Sequence, residues 1–167
     1  GDLTVGKKKY ADVEERMQAE LVELADTREY LLALIDKDAR AFEPLAAAYG
    51  MPKGSDEERA AQSAALQAAL VDACEVPLEI MATSVQVIES CVFMARHGSV
   101  LALSDAGAAA VLAKAALQAA SLNVVINIGS MDDAERAEGY RNQMEDLLAA
   151  GCAMADEVYA DVVKRLS

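Results

Sequence analysis

Apolar residues that return every three or four positions leave a chain few folds to choose from. From Met17 the sequence places Leu21, Leu24, Leu31, Ile35 and Phe42 on that spacing, with Arg28 and Asp38 filling the two remaining steps. One face of a helix carries such a set. Asp38 falls between Ile35 and Phe42, so it puts a carboxylate on a core-facing stripe. That placement is costly unless the group is paired or lines a wet cleft. Asp38 is therefore the first candidate for function, whereas Asp36, two residues away, faces elsewhere and is assigned to the surface.

The rest of the chain repeats the helical pattern. A first helix is predicted over about Ala11 to Ala48, with a kink or break near Phe42–Pro44, because proline removes a backbone donor and crowds the preceding turn. The Gly50–Gly54 run is a loop. Ser55 with Glu58 forms a capping box that starts a second helix, which runs to about Arg96 through an interior Pro77 and ends at His97-Gly98. That helix is apolar on two faces, Leu70/Cys74/Met81/Ile88 and Val71/Leu78/Val85/Val92, as a central helix must be. A third helix, with Ser104 as N-cap, runs to about Ile128 and is read as buried and central. Its Gly107 and Ala110 are small enough for a partner helix to approach closely, across a dimer interface. Lys114, Gln118, Asn123 and Asn127 argue against its spanning a membrane. An acidic turn, Ser130–Asp133, opens a fourth helix to about Leu166, with Met144, Leu147, Gly151, Met154, Val158 and Val162 as its buried stripe. No strand pattern occurs. The fold class is all-α, a multihelical bundle of long, proline-interrupted helices forming one domain over residues 1–167.

Composition narrows function further. A net charge of -13 excludes nonspecific nucleic-acid binding and disfavours anionic membranes. The three cysteines, Cys74, Cys91 and Cys152, lie far apart within helices, as reduced thiols of a cytoplasmic protein would. His97 is the single histidine and sits at a helix end, so a zinc or di-iron site is not expected. Lys7, Lys8 and Lys9 form the one basic cluster and suit an anionic ligand. Asp105 falls in the first turn of the third helix, where a carboxylate also serves the helix dipole. Asn123 and Asn127 share a face in a very apolar helix and must find partners. Asp105 and Asn127 stand about 33 Å apart along one straight helix at ~1.5 Å per residue, so one small site holds both only if two subunits meet. Gly1 to Val5 reads as the tail of a preceding segment.

Six short motifs in order resemble the cyclodeaminase/cyclohydrolase family of folate enzymes. They are Gly6-Lys7-Lys8-Lys9-Tyr10, Asp36-Lys37-Asp38-Ala39-Arg40-Ala41-Phe42, Met51-Pro52-Lys53 followed by Glu57-Glu58, Val76-Pro77-Leu78, Ser104-Asp105-Ala106-Gly107, and Asn123-Val124-Val125-Ile126-Asn127. The N-terminal helix and glycine-rich segment that usually precede the first motif are expected to be absent. The resemblance implies an interrupted-helix bundle assembled as a homodimer, acting on the one-carbon bridge of a tetrahydrofolate that can carry a polyglutamate tail. It implies no metal or cofactor. As a methenyltetrahydrofolate cyclohydrolase the chain would add water to the methenyl carbon; as a formiminotetrahydrofolate cyclodeaminase it would expel ammonia. The resemblance makes Asp38 the acid/base or the counter-charge and Lys8 its catalytic companion. Lys7, Lys9, Tyr10, Asp105, Asn123 and Asn127 would bind substrate. The rival expectation is a non-catalytic helical dimer that serves as an interaction protein.

Overall fold

The computed structural model describes residues 3–167, and Gly1 and Asp2 lie outside the described residues. Four helices account for nearly all of it: α1 (Glu14–Tyr49), α2 (Asp56–His97), α3 (Leu103–Ile128) and α4 (Ala134–Leu166). Among the described residues there is no strand, so the all-α expectation holds. α2 is the central helix. It packs on α1, α3 and α4, and α3 packs in turn on α4, while α1 rests on α2. Leu70, Cys74, Met81 and Ile88 of α2 are fully buried, together with Leu117 and Val124 of α3.

The helix starts differ in how closely they follow the sequence pattern. Ser55 accepts from the Glu58 N–H while the Glu58 carboxylate takes the Ser55 N–H, the predicted capping box. A 3-10 turn over Lys8–Val13 precedes α1, so α-helix proper begins at Glu14 rather than Ala11. Ser104 is not the N-cap of α3. A second 3-10 turn, Val100–Ala102, leads into α3, and the capping hydroxyl is that of Ser99, which accepts from Leu101 N–H. Ala102 stands at the N-cap of α3, with no side-chain cap, and Ser104 lies inside the first turn. Gly98 ends α2 where a Cβ would meet the Met94 carbonyl oxygen at 2.5 Å, so no other residue fits that turn.

Neither proline breaks its helix. α1 runs through Pro44 and α2 through Pro77. The interruption is confined to one missing hydrogen bond in each, at the carbonyls of Arg40 and Ala73. Pro44 and Arg40 are exposed, where water can meet that carbonyl; Pro77 and Ala73 are buried.

The buried edge of α1 also differs from the expected stripe. Met17, Leu34, Leu45 and Ala48 are buried, whereas Ile35 and Phe42 are 65% and 58% exposed. The seam against α2 passes through Leu24 and Leu31 as predicted. It alternates with Thr27, Leu34 and Ala41, one residue earlier than Arg28, Ile35 and Phe42. Glu20 is a buried member of this seam, kept so by Arg16 at 3.0 Å.

α3 is not buried all round. Its Gly107 and Ala110 do serve a close helix approach, but the partner is α4 of the same chain: a Cβ on Gly107 would come within 3.0 Å of Val162. The opposite face is open, with Leu112, Leu122 and Ile126 at 70%, 64% and 67% exposure. By length and composition α2 and α3 are each apolar enough to cross a membrane; α2 spends that character on the core, α3 only half of it. The turn between α3 and α4 is clamped by Gln67, which donates to the Ser130 carbonyl at 3.0 Å and accepts from Asp132 N–H at 2.8 Å.

Candidate active site

Three helices meet around a cleft of about 270 Å³. α1 contributes Asp38 and Phe42, α2 contributes Ala73 and Pro77, and α3 contributes Asn123 and Asn127. Each is there for a local reason. Asp38 lies on the line of the α1–α2 seam, at a level where the helices leave a gap instead of packing, so its carboxylate is exposed rather than buried. Phe42 is one turn on, its ring forming an apolar wall. Pro77 cannot donate to Ala73, and the side-chain amide of Asn127 donates to that carbonyl instead, at 2.6 Å. Asn123 is one turn earlier on α3 and exposed.

The charges around Asp38 are arranged to leave it without a counter-ion. Among the described residues no cation pairs with it. Its neighbour Lys37 is held by Glu79 at 2.5 Å, and Glu79 also accepts from the Tyr30 hydroxyl at 2.8 Å. The hydrogen bond to Glu79 raises the Lys37 pKa, and the Lys37 ammonium in turn lowers that of Glu79. Tyr30 is raised by the same carboxylate. The lysine beside it in sequence is thus committed to α2. What remains is a carboxylate facing two amides across an apolar floor, a setting for a cationic nitrogen compound with N–H groups.

The other predicted site residues gather at the far end of α3. Thr4 is almost wholly buried, and its hydroxyl accepts from Ser99 N–H at 2.8 Å, which ties the N-terminal segment to the turn before α3. Residues read from sequence as the tail of something else are therefore anchored, at least from Thr4 onward. Gly6, with φ of 73°, turns the chain and gives its N–H to Glu14. Tyr10 lies beside Ser99, whose side-chain hydrogen bond lowers the phenol pKa. Lys7, Lys8 and Lys9 are exposed, with the Lys9 ammonium 5.4 Å from the centre of the Tyr10 ring. Asp105 borders a largely apolar pocket of about 250 Å³ shared with Thr4, Met94 and Ser99.

The chain therefore brings Asp38, Asn123 and Asn127 together, and leaves Asp105, Tyr10 and the lysines near the other end of α3. The span of α3 keeps the groups apart. Sequence reasoning named Pro77 as a kink and missed it as a wall of the cleft; the available signal was an interior proline one helix across from an asparagine in need of a partner. His97 stacks on Phe93 at 5.0 Å, and among the described residues no cluster of three metal-binding side chains occurs. Burial raises the Cys74 and Cys91 thiols to about 11, so both are inert at neutral pH. A larger cleft, about 470 Å³, lies between α1 and α2, but Glu20, Glu23, Asp26 and Glu89 line it, a poor match for an anionic ligand.

The family model for formiminotransferase-cyclodeaminase matches residues 1–146. This chain belongs to that family. Within it, the chain is 37% identical over 166 residues to a methenyltetrahydrofolate cyclohydrolase of Methylorubrum extorquens, covering 99% of this chain and 80% of that one. A formimidoyltransferase-cyclodeaminase of Rattus norvegicus is 31% identical over 148 residues, 89% of this chain but 27% of that longer protein. The crystal structure of a formiminotetrahydrofolate cyclodeaminase from Thermotoga maritima superposes with a TM-score of 0.76 at 31% identity, over 98% of this chain and 75% of that one.

Proposed function

We propose that this chain hydrolyses 5,10-methenyltetrahydrofolate to 10-formyltetrahydrofolate, working as a homodimer. The cleft that sets an unpaired Asp38 opposite Asn123 and Asn127 carries this reading. The one-carbon bridge of the substrate is an amidinium, with positive charge shared by two nitrogens. Asp38 supplies the counter-charge and takes a proton from water as the water oxygen bonds to the methenyl carbon. The C–N5 bond of the tetrahedral intermediate then breaks, its electrons staying on N5, which receives the proton from Asp38. The hydroxyl proton leaves to solvent as the formyl carbonyl forms. Asn123 and Asn127 hold the pteridine or position the water.

The homodimer accounts for the open face of α3. Ala108, Leu112, Ala115, Ala119, Leu122 and Ile126 lie along it, all exposed and placed symmetrically about Leu117, which points inward. A second copy laid antiparallel on this face sets Leu112 against Leu122 and Ala115 against Ala119, with small residues at the centre where the helices come closest. In that register Asp105 of one copy falls within ~3 Å along the axis of Asn127 of the other, at ~1.5 Å per residue. The two half-sites separated by α3 then join. Lys7 and Lys8 of one copy reach toward the cleft of the other, where they would bind the glutamate carboxylates.

Asp38→Asn tests the chemistry. Turnover of methenyltetrahydrofolate, followed by loss of its ultraviolet absorbance, should fall at least ~100-fold with the helical circular dichroism intact. Full activity in that variant would remove Asp38 from the mechanism. Light scattering tests the assembly, and a fully active monomer would overturn the shared site.

The likeness to the Thermotoga cyclodeaminase supports a second reading. In it N10 of the folate attacks the formimino carbon and ammonia departs, with Asp38 relaying protons in the same cleft. Offering methenyl- and formimino-tetrahydrofolate in turn separates the two activities. Consumption of neither would leave the non-catalytic dimer.

A further inference from the structure

We infer that Pro77 is a positioning residue. By withholding the N–H that Ala73 would otherwise receive, it draws the Asn127 amide group onto that carbonyl and fixes the Asn127 side-chain oxygen as a hydrogen-bond acceptor for the ligand. The substrate named in the test rests on the folate reading; the orientation of Asn127 does not.

Pro77 and Ala73 are both buried, so water is a poor substitute donor for the freed carbonyl, and Asn127 fills that place at 2.6 Å. An orphaned carbonyl pairs only with the NH2 side of an amide, which settles which way Asn127 is turned. Its oxygen accepts nothing from the described residues, and no buried side-chain oxygen among them lacks a partner, so it is open to the cleft. Pro77, Ala73 and Asn127 all line the space that Asp38 borders. Pro44, exposed on α1, frees a carbonyl in the same way but leaves it toward water, and no side chain is oriented by it. Two acceptors, the Asp38 carboxylate and the Asn127 oxygen, therefore border the cleft. The matching ligand edge is a donor, an N–H of a nitrogen heterocycle, and an edge offering only lone pairs is rejected.

The experiment compares the full-length wild type with Pro77→Ala, Asn127→Asp and the double variant. Pro77→Ala returns the helical N–H, so it keeps the fold while releasing Asn127. With whichever folate the wild type consumes, its KM should rise about tenfold, the worth of one well-placed hydrogen bond, and kcat should stay within about twofold. Asn127→Asp should raise KM as well, and the double variant should be no worse than Asn127→Asp alone. An unchanged KM in Pro77→Ala, or effects that multiply in the double variant, would overturn the inference and leave Asn127 a plain cap. The Asn127 side-chain amide resonances give a readout that needs no turnover. One proton should be shifted and slow to exchange in the wild type and should return to solvent-exposed values in Pro77→Ala; no change on substitution would also overturn the inference. If neither folate is consumed, the functional reading fails, and this spectrum still decides the orientation.

Discussion

The two faces of α3 are built from much the same residues and meet opposite circumstances. On the inner face Ala110, Leu117 and Val124 are fully buried against α2 and α4. On the outer face Leu112, Leu122 and Ile126 are mostly exposed. The difference lies in size pattern rather than hydropathy. The inner face is cut to fit particular neighbours, with glycine or alanine where a helix crosses. The outer face repeats itself about its own midpoint, the pattern on which the proposed pairing with a second copy rests.

The contrast can be broken hardest from the inside. Leu117→Ala should lower unfolding free energy by about 2–5 kcal/mol, since it leaves a cavity among three helices. Denaturant titration of the variant measures it. Gly151→Ala should cost about 1–3 kcal/mol, because the new methyl group would press on Leu117 and on Val85, the latter at 3.1 Å. On the outside, Leu122→Glu should change the unfolding free energy of the isolated subunit by less than about 0.5 kcal/mol. The same variant should abolish self-association in light scattering and take turnover with it. A variant that stays active as a monomer would make the outer face merely apolar. The smallest effect belongs to a pair remote from both faces. Glu79, lowered by Lys37, contributes to stability fully above the ordinary carboxylate range and loses that contribution as the pH falls through its depressed folded-state value. Thermal melts of Glu79→Gln should therefore differ slightly from wild type at neutral pH and converge with it in acid.

The local signals were the legible ones. Ser55 and Glu58 announced a cap that formed as written, and Gly98 stopped a helix where its missing Cβ is required. The α1 stripe departs from the expected one by one residue at alternate turns because spacing alone does not distinguish Ile35 and Phe42, which stay exposed, from Leu34 and Ala41 beside them, which pack. Phe42 walls the cleft, and Ile35 is left exposed. Periodicity reports that a residue is apolar at helical spacing and is silent about whether a neighbour covers it. Asp38, Asn123 and Asn127 were each legible as polar groups out of place. Their convergence was not, because it depends on how α1 and α3 straddle α2. The separation of Asp105 from Asn127 was calculable from helix rise alone. Ser104 is not a cap because a 3-10 turn, itself capped by Ser99, carries the chain into α3 and sets Ala102 at the N-cap, a turn that spacing could not reveal.

The Gln67 clamp on the turn between α3 and α4 has a bearing on how molecules trade partners. Exchanging the last helix between chains, a common low-cost path to dimers, would require both of its hydrogen bonds to that turn to open first. The proposed contact through the outer face of α3 would ask for no such opening, so dilution of a dimer formed that way should return each molecule to its own folded form quickly, without passing through an unravelled hairpin.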